Sequence, residues 1–337
     1  MKVTIFDVAK HAGVSIGTVS RVLNNKDRVS PATRERVLKA VQELDYHANA
    51  FARGLASQES NTLGLVIPQV NDPFFFQIVR GVEDAATDEG YSLLIASQPR
   101  PAHEHRYLDL FRRGNVDAMV LVAIDVYIHE IQQIASRGVP IVLAQQDVGK
   151  NIPAFLSDNY GGSRAMTEHL LGHGYRRLAY IAGTNYTPDS RERLRAMQDV
   201  LAEHSLTVGS EYIMPGDYLQ DSGYRAMMEL LQRPVLPEAV FAANDQMAID
   251  AIRAIQESGL RVPDDIAVVG FDDIPMSSYV SPTLTTIQQP VYEIGWHAAK
   301  RAIAMIGPEV NVEERTLASP RVMLLPASLV VRRSCGC

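Results

Sequence analysis

The chain predicts a mixed α/β protein: an all-α helix-turn-helix headpiece, then a two-lobed core of doubly wound parallel sheets. Three observations predict it. Residues 4–24 read as two short amphipathic helices on either side of a glycine turn. From Thr62 onward, short continuously apolar runs alternate with stretches of helical period. Basic residues gather at the front: positions 1–60 hold nine Lys/Arg and six Asp/Glu, a net of +3, in a chain whose net charge is −7.

In the first helix Ile5, Val8 and Ala9 form an apolar stripe, Gly13 supplies the turn, and Ser15 is placed to cap the next helix. In that second helix Val19, Val22 and Leu23 face inward, which leaves Ser15, Ile16, Gly17, Thr18, Ser20 and Arg21 outside. Hydroxyls and a guanidinium at a helix start suit a DNA major groove, because they bond phosphates and base edges. Ser30 caps a third helix with Pro31 at its first position, and Val37, Leu38, Val41 and Leu44 share a face. Three helices in under fifty residues enclose a small core. Residues 49–56 then read as a helix too short to be stable alone, within a linker.

The core strands are expected at 63–68, 92–96, 118–124, 141–144, 178–182, 212–214, 239–243 and 267–271, with helices at 75–89, 161–172, 191–203, 221–232 and 246–258. In doubly wound sheets, ligands bind beyond the carboxyl ends of the strands. Those ends carry Asp, Asn and Gln interleaved with Phe74, Phe75 and Tyr218. Polar groups answer the hydroxyl rim of a sugar, and an aromatic ring answers its apolar face.

Composition is that of a globular protein, 46% apolar and 21% charged. The longest apolar runs end in Pro, Gly or Asp, so no membrane span is expected. No secretory signal precedes the first helix, and the expected compartment is the cytoplasm. Cys335 and Cys337 are the only cysteines. With no other cysteine to complete a site, the C-G-C segment reads as a frayed, reduced tail, and neither metal nor cofactor is assigned.

The sequence resembles the lactose-repressor (LacI/GalR) family of bacterial transcription regulators over essentially its whole length. The segments that carry the resemblance are V-S-I-G-T-V-S-R-V-L-N (14–24), A-R-G-L-A (52–56), N-D-P-F-F (71–75), F-A-A-N-D-Q-M-A (241–248), V-V-G-F-D-D (268–273), S-P-T-L-T-T-I (281–287) and L-V-V-R-R-S-C-G (329–336). The resemblance implies a helix-turn-helix headpiece (1–47), a hinge helix and linker (48–60) and an effector-binding, dimerising, periplasmic-binding-protein-like core (61–337). Within the core it implies a first lobe at about 61–159 plus 288–317 and a second at about 160–287 plus 318–332.

It further implies that Ile16, Gly17 and Arg21 face bases, while Thr4, Ser15, Thr18, Ser20, Asn24, Asn49 and Arg53 complete the DNA surface and Leu55 wedges the minor groove. Gly17 departs from relatives with a larger polar reader there, and Ala48 replaces a frequent proline. The implied effector pocket is Asp72, Phe74, Phe75, Gln145, Arg193, Tyr218, Asn244 and Asp272. Gln145 stands where many relatives have aspartate, so the expected ligand there meets a donor as well as an acceptor.

The function these readings imply is a DNA-binding regulator, expected to repress, whose affinity for a palindromic operator changes when a small ligand, expected to be a sugar, binds between the lobes. The ligand either releases the protein from DNA or tightens it. A homodimer is expected, and no tetramer, since no leucine heptad follows the core. A solute-binding protein would have no use for the headpiece. An enzyme would need a cofactor loop or nucleophile, and neither G-x-G-x-x-G after a strand nor a Walker loop is present. The segment His103-Glu104-His105 reads as a solvated helix start.

Overall fold

The computed structural model describes residues 3–23, 29–46, 60–97, 114–122, 131–132, 135–136, 140–149, 151–184, 187–306 and 321–337. Three helices open it: α1 (Ile5–Ala12), α2 (Ile16–Leu23) and α3 (Pro31–Glu43). The Thr4 hydroxyl and N–H both donate to Asp7 Oδ2, at 2.7 and 2.8 Å, and close the start of α1. Gly13 turns the chain at φ +66°, and Ser15 Oγ accepts from the Thr18 N–H at 3.2 Å to cap α2. The helices enclose Val8, Ala9, Ala12, Val19, Val22, Val37 and Ala40. Leu38, expected inside, is exposed: α3 turns Val37, Ala40, Val41 and Leu44 inward, the i, i+3, i+4, i+7 set that one helix face can bury.

The first lobe is a six-stranded parallel sheet built from β1 (Thr62–Ile67), β2 (Ser92–Ser97), β3 (Ala118–Val122), β4 (Ile141–Ala144), β5 (Ala154–Ser157) and β11 (Val322–Leu325), in the order β11-β5-β4-β3-β1-β2. Strand period two sorts its side chains. Leu63, Leu65 and Ile67 pack on one face under α4 (Phe74–Asp88) and α9 (Val291–Ala304), and Val66, Met119, Leu121, Ile141 and Leu143 pack on the other. Burial on both faces explains why these strands read as unbroken apolar runs.

The second lobe is a four-stranded parallel sheet of β6 (Leu178–Ile181), β7 (Ile213–Met214), β8 (Ala239–Ala242) and β9 (Ala267–Val269), ordered β7-β6-β8-β9. Its helices are α5 (Asn159–Gly172), α6 (Pro188–Glu203), α7 (Ser222–Leu230) and α8 (Asp245–Glu257). A short antiparallel pair, β10 (Thr286–Gln288) with β12 (Ser328–Val330), lies where the chain passes between lobes.

Two further expectations are corrected. Strands β5, β10, β11 and β12 escaped the sequence reading. Residues 322–325 belong to the first lobe's sheet, since Val322–Leu325 pairs in parallel with Ala154–Ser157. The expected transfer to the second lobe at 318 therefore falls later, after Leu325. The C-G-C segment is not frayed either: Cys335 is fully buried in the second lobe's core, and Ser334 bonds the β9 backbone through Val268. No helix among the described residues is long and apolar enough to cross a membrane.

Candidate effector cleft and nucleic-acid face

Local sequence places most of the expected effector residues where strands end. Asp72 follows β1, Gln145 follows β4, Tyr218 follows β7, Asn244 follows β8 and Asp272 follows β9. Three of these adopt positive φ without being glycine: Gln145 at 60°, Tyr218 at 68° and Asp272 at 127°. Such backbone costs on the order of 1–3 kcal/mol per residue and clusters at ligand clamps.

Arg193 is the base of the second lobe's wall. It lies on α6, is 4% exposed, and stacks its guanidinium 3.8 Å over the Phe271 ring. Its Nε donates to Asn159 Oδ1 at 2.8 Å and its Nη1 to the Ala243 carbonyl. Asp272 lies 3.8 Å away and Asp189 3.9 Å away. The Tyr218 hydroxyl donates to Asp189 Oδ2 at 3.3 Å, and burial keeps that phenol a neutral donor. Gly183 makes room for the ring: a β-carbon there would fall 1.9 Å from Tyr218 Cζ. Asn244 caps α8 through the Met247 N–H at 3.0 Å and donates to the Tyr218 carbonyl at 3.1 Å.

A chain of amides joins this wall to the first lobe. Gln289 Nε2 donates to Asp272 Oδ1 at 2.6 Å. Gln145 Nε2 donates to Gln289 Oε1 at 3.0 Å and to Ser157 Oγ at 2.9 Å. The Ser157 N–H returns to Gln145 Oε1 at 3.2 Å. Burial pushes the Asp272 carboxyl well above its usual range; Arg193 opposes the push, and Asp245 and Asp72 add to it. Asp72 belongs to the first lobe, just after β1. Burial raises its own carboxyl too, against the hydrogen bond from the Phe74 N–H.

The two phenylalanines divide. Phe75 is buried in the first lobe's core, while Phe74 is half-buried and packs edge-on against it with ring centroids 5.2 Å apart. A cavity of about 520 Å³ opens beside Asp272, among Gln77, Gln289, Tyr292 and Arg332. Of the expected effector residues it includes Asp272 alone.

Sequence reading missed Asn159, Asp189, Ser157 and Gln289, which hold the named residues in place. The signal for Asn159 and Gln289 was their position at the passages between lobes. It missed Asp245 as well. This carboxylate is fully buried and accepts from the Ile274 N–H at 2.9 Å, from Ser277 Oγ at 2.6 Å and from Thr286 Oγ1. Burial dominates these bonds and pushes it up to about 6.

On the headpiece, Ile16, Gly17 and Arg21 are exposed along α2, and Thr18 and Ser20 are half-buried beside them. Thr4 and Ser15 are exposed but already engaged as caps. Asn24, Asn49, Arg53 and Leu55, expected to touch DNA, lie outside the described residues.

Comparison with known proteins agrees with both halves of this architecture. Residues 4–49 match the bacterial regulatory proteins of the lacI family, and residues 167–335 match the periplasmic binding protein-like domain. The ribose operon repressor of Halalkalibacterium halodurans is 34% identical over 332 residues, 98% of this chain and 96% of that protein. The Lac repressor dimer bound to operator and the anti-inducer ONPF superimposes with a TM-score of 0.86 at 31% identity, covering 99% of each chain. The complex of the transcriptional regulator CelR with cellobiose does so with a TM-score of 0.72 at 34% identity, covering 99% of this chain and all of that one.

A helix-turn-helix headpiece on a two-lobed, binding-protein-like core defines a DNA-binding transcriptional regulator. The chain belongs to the LacI family of bacterial regulatory proteins.

Proposed function

We propose that this regulator represses transcription as a cytoplasmic homodimer and that a neutral sugar or polyol bound between its lobes changes its grip on operator DNA. The observation that carries the reading is the relay Asp272–Gln289–Gln145, which joins the lobes through one glutamine at the passage between them. A ligand wedged against it exchanges amide and carboxyl partners on both lobes at once, so its binding energy depends on their relative angle. Only such differential affinity shifts a two-state equilibrium.

The ligand's charge follows from the walls. Asp72 and Asp272 present carboxyls, and the Arg193 guanidinium is already held by Asn159, the Ala243 carbonyl and two flanking aspartates. Among the described residues of these walls, an anionic ligand would meet two carboxyls and a guanidinium that is already engaged. Ligand hydroxyls would take over the Gln145 and Tyr218 donors from their present partners Gln289, Ser157 and Asp189, and find acceptors in Asp72 and Asp272. The ligand of the CelR complex is cellobiose, a neutral disaccharide, and the Halalkalibacterium halodurans relative is named for a ribose operon, which agrees with this class.

DNA binding in this reading runs through α2. Arg21 pairs with a guanine edge, Ile16 meets a thymine methyl, and two copies of the headpiece span half-sites about one helical turn apart. Hinge residues 48–60, with Leu55 as wedge, complete the contact.

The test is a thermal-shift screen of the purified protein against neutral sugars, sugar phosphates and nucleosides, followed by operator-binding anisotropy with each hit. A ligand at a hundred times its Kd adds about 2.7 kcal/mol of stability. The expected result is one neutral saccharide class that stabilises the protein and changes operator affinity at least tenfold. Stabilisation by anionic ligands alone, or a sugar hit with no effect on operator affinity, overturns the proposal.

A further inference from the structure

Far from the cleft, two histidines of α5 meet the C-G-C segment. His169 lies in the last turn of the helix and His173 follows one turn later, so the i, i+4 spacing puts both imidazoles on one face. Their ring centroids are 4.7 Å apart. The chain brings both thiols to the same spot. Cys335 Sγ is 3.4 Å from His169 Nε2, and Cys337 Sγ is 3.5 Å from His169 Nε2 and 3.1 Å from His173 Nε2. The two sulfurs are 2.7 Å apart and both cysteines are free. The ligand atoms of His169, Cys335 and Cys337 lie within 4.8 Å of one another.

We propose that His169, His173, Cys335 and Cys337 form a structural zinc site that fastens the segment after β12 to α5. Two thiolates and two imidazoles are the donor set of closed, four-coordinate zinc centres. A tetrahedron with bonds of about 2.3 Å to sulfur and about 2.0 Å to nitrogen separates nitrogen from sulfur by about 3.5 Å and sulfur from sulfur by about 3.8 Å. The nitrogen–sulfur distances to His169 already match. Closing the shell requires the sulfurs to part by about 1 Å and the exposed His173 imidazole to move in, since the three ligand atoms now within 4.8 Å of one another are those of His169, Cys335 and Cys337.

The surroundings orient the donors. Thr285 Oγ1 donates to Cys335 Sγ at 3.0 Å, and the Tyr175 hydroxyl donates to the Cys335 carbonyl at 3.0 Å. Such outer partners hold metal ligands in place. Gly336, at φ +88°, reverses the chain between the cysteines so that both thiols face α5. A side chain there would be strained, and its β-carbon would lie 3.0 Å from the Tyr175 hydroxyl.

The placement has a structural consequence. The other end of α5 begins at Asn159, which holds Arg193 in the cleft wall. An ion at the far end would fix the helix at both termini.

The test uses the reduced full-length protein, stripped by chelator and titrated with Zn²⁺, and in parallel with Co²⁺ under anaerobic conditions. The expected result is one ion per chain, with the visible d–d absorption of tetrahedral cobalt and a thiolate-to-cobalt charge-transfer band. Cys337→Ser and His173→Gln alter exposed side chains, so each should keep the native circular dichroism while losing the charge-transfer intensity or the tetrahedral spectrum. Uptake well below one ion per chain, uptake that both variants leave unchanged, or a Cys335–Cys337 disulfide in protein kept under reductant overturns the proposal.

Discussion

Gln145 and Gln289 meet amide to amide at 3.0 Å, although 144 residues of chain separate them. One follows a first-lobe strand; the other stands at the passage back from the second lobe and is itself bonded to Asp272 at 2.6 Å. In the proposed mechanism this contact couples the position of one lobe to the carboxyl of the other.

Replacing Gln289 by alanine should expose that coupling. It leaves Asp272 and Gln145 each short of a buried partner, a loss of about 1–3 kcal/mol in stability. We expect equilibrium urea unfolding to show it, and the effect of an active ligand on operator affinity to shrink at least fivefold while ligand-free operator binding stays within about threefold. Wild-type coupling in the variant would remove the relay from the mechanism.

Arg193 answers to a larger ledger. Arg193→Met keeps much of the side-chain bulk over Phe271 but leaves Asp272 and Asp189 without their cation. Breaking a buried ion pair costs about 3–5 kcal/mol. Arg193→Lys should recover part of the charge yet not the fork that spans Asn159 and Ala243. Both variants are expected to lose ligand-dependent stabilisation in a thermal-shift assay, with the lysine variant closer to wild type in urea.

Asp245 predicts a dependence on pH. Its folded value is raised to about 6 from 3.8, so between those values the folded state holds a proton that the unfolded chain has lost. The stability this contributes is fully present below about pH 4 and is lost as pH rises through about 6. Two units correspond to a change on the order of 2–3 kcal/mol. In Asp245→Asn that slope should vanish. The variant's deficit against wild type, read from unfolding midpoints, should therefore be larger at pH 4.5 than at pH 7.5; an equal deficit at both would refute the assignment.

Gly17 offers a test on the headpiece. A β-carbon there meets nothing nearer than Ser15 Oγ at 3.8 Å, so Gly17→Ala should stabilise α2 by up to about 1 kcal/mol. Gly17→Gln should add a base reader and change operator preference at one position of each half-site, as measured by selection from a randomised operator pool. Arg21→Ala, by contrast, should weaken operator binding by about 1–3 kcal/mol and relax one guanine position.

Much of this was legible along the chain. The helix pair and its glycine turn, the Ser30 cap and the unbroken apolar strands are local patterns, written within one turn or one strand. So was the gathering of Asp72, Gln145, Tyr218, Asn244 and Asp272 at strand ends, because doubly wound sheets put their loops on one edge. Phe75 misled for a local reason as well: next to a strand end it reads as pocket, yet helix α4 turns it toward the sheet.

Local patterns determined the headpiece, the alternation of strand and helix, and the residue types offered at the cleft. Tertiary structure alone decided their partners. Residues 322–325 are apolar enough for either lobe, and parallel pairing with Ala154–Ser157 settles which. Asn159 and Asp189 acquire meaning only once Arg193 lies between them. His169 and His173 look unrelated to Cys335 and Cys337 in a chain that separates the two pairs by more than 160 residues. The physical reason is common to all three: hydrogen bonds, ion pairs and ligand sets act through distances of a few ångströms, and sequence separation carries no information about which distant residues the packing of two lobes will bring that close.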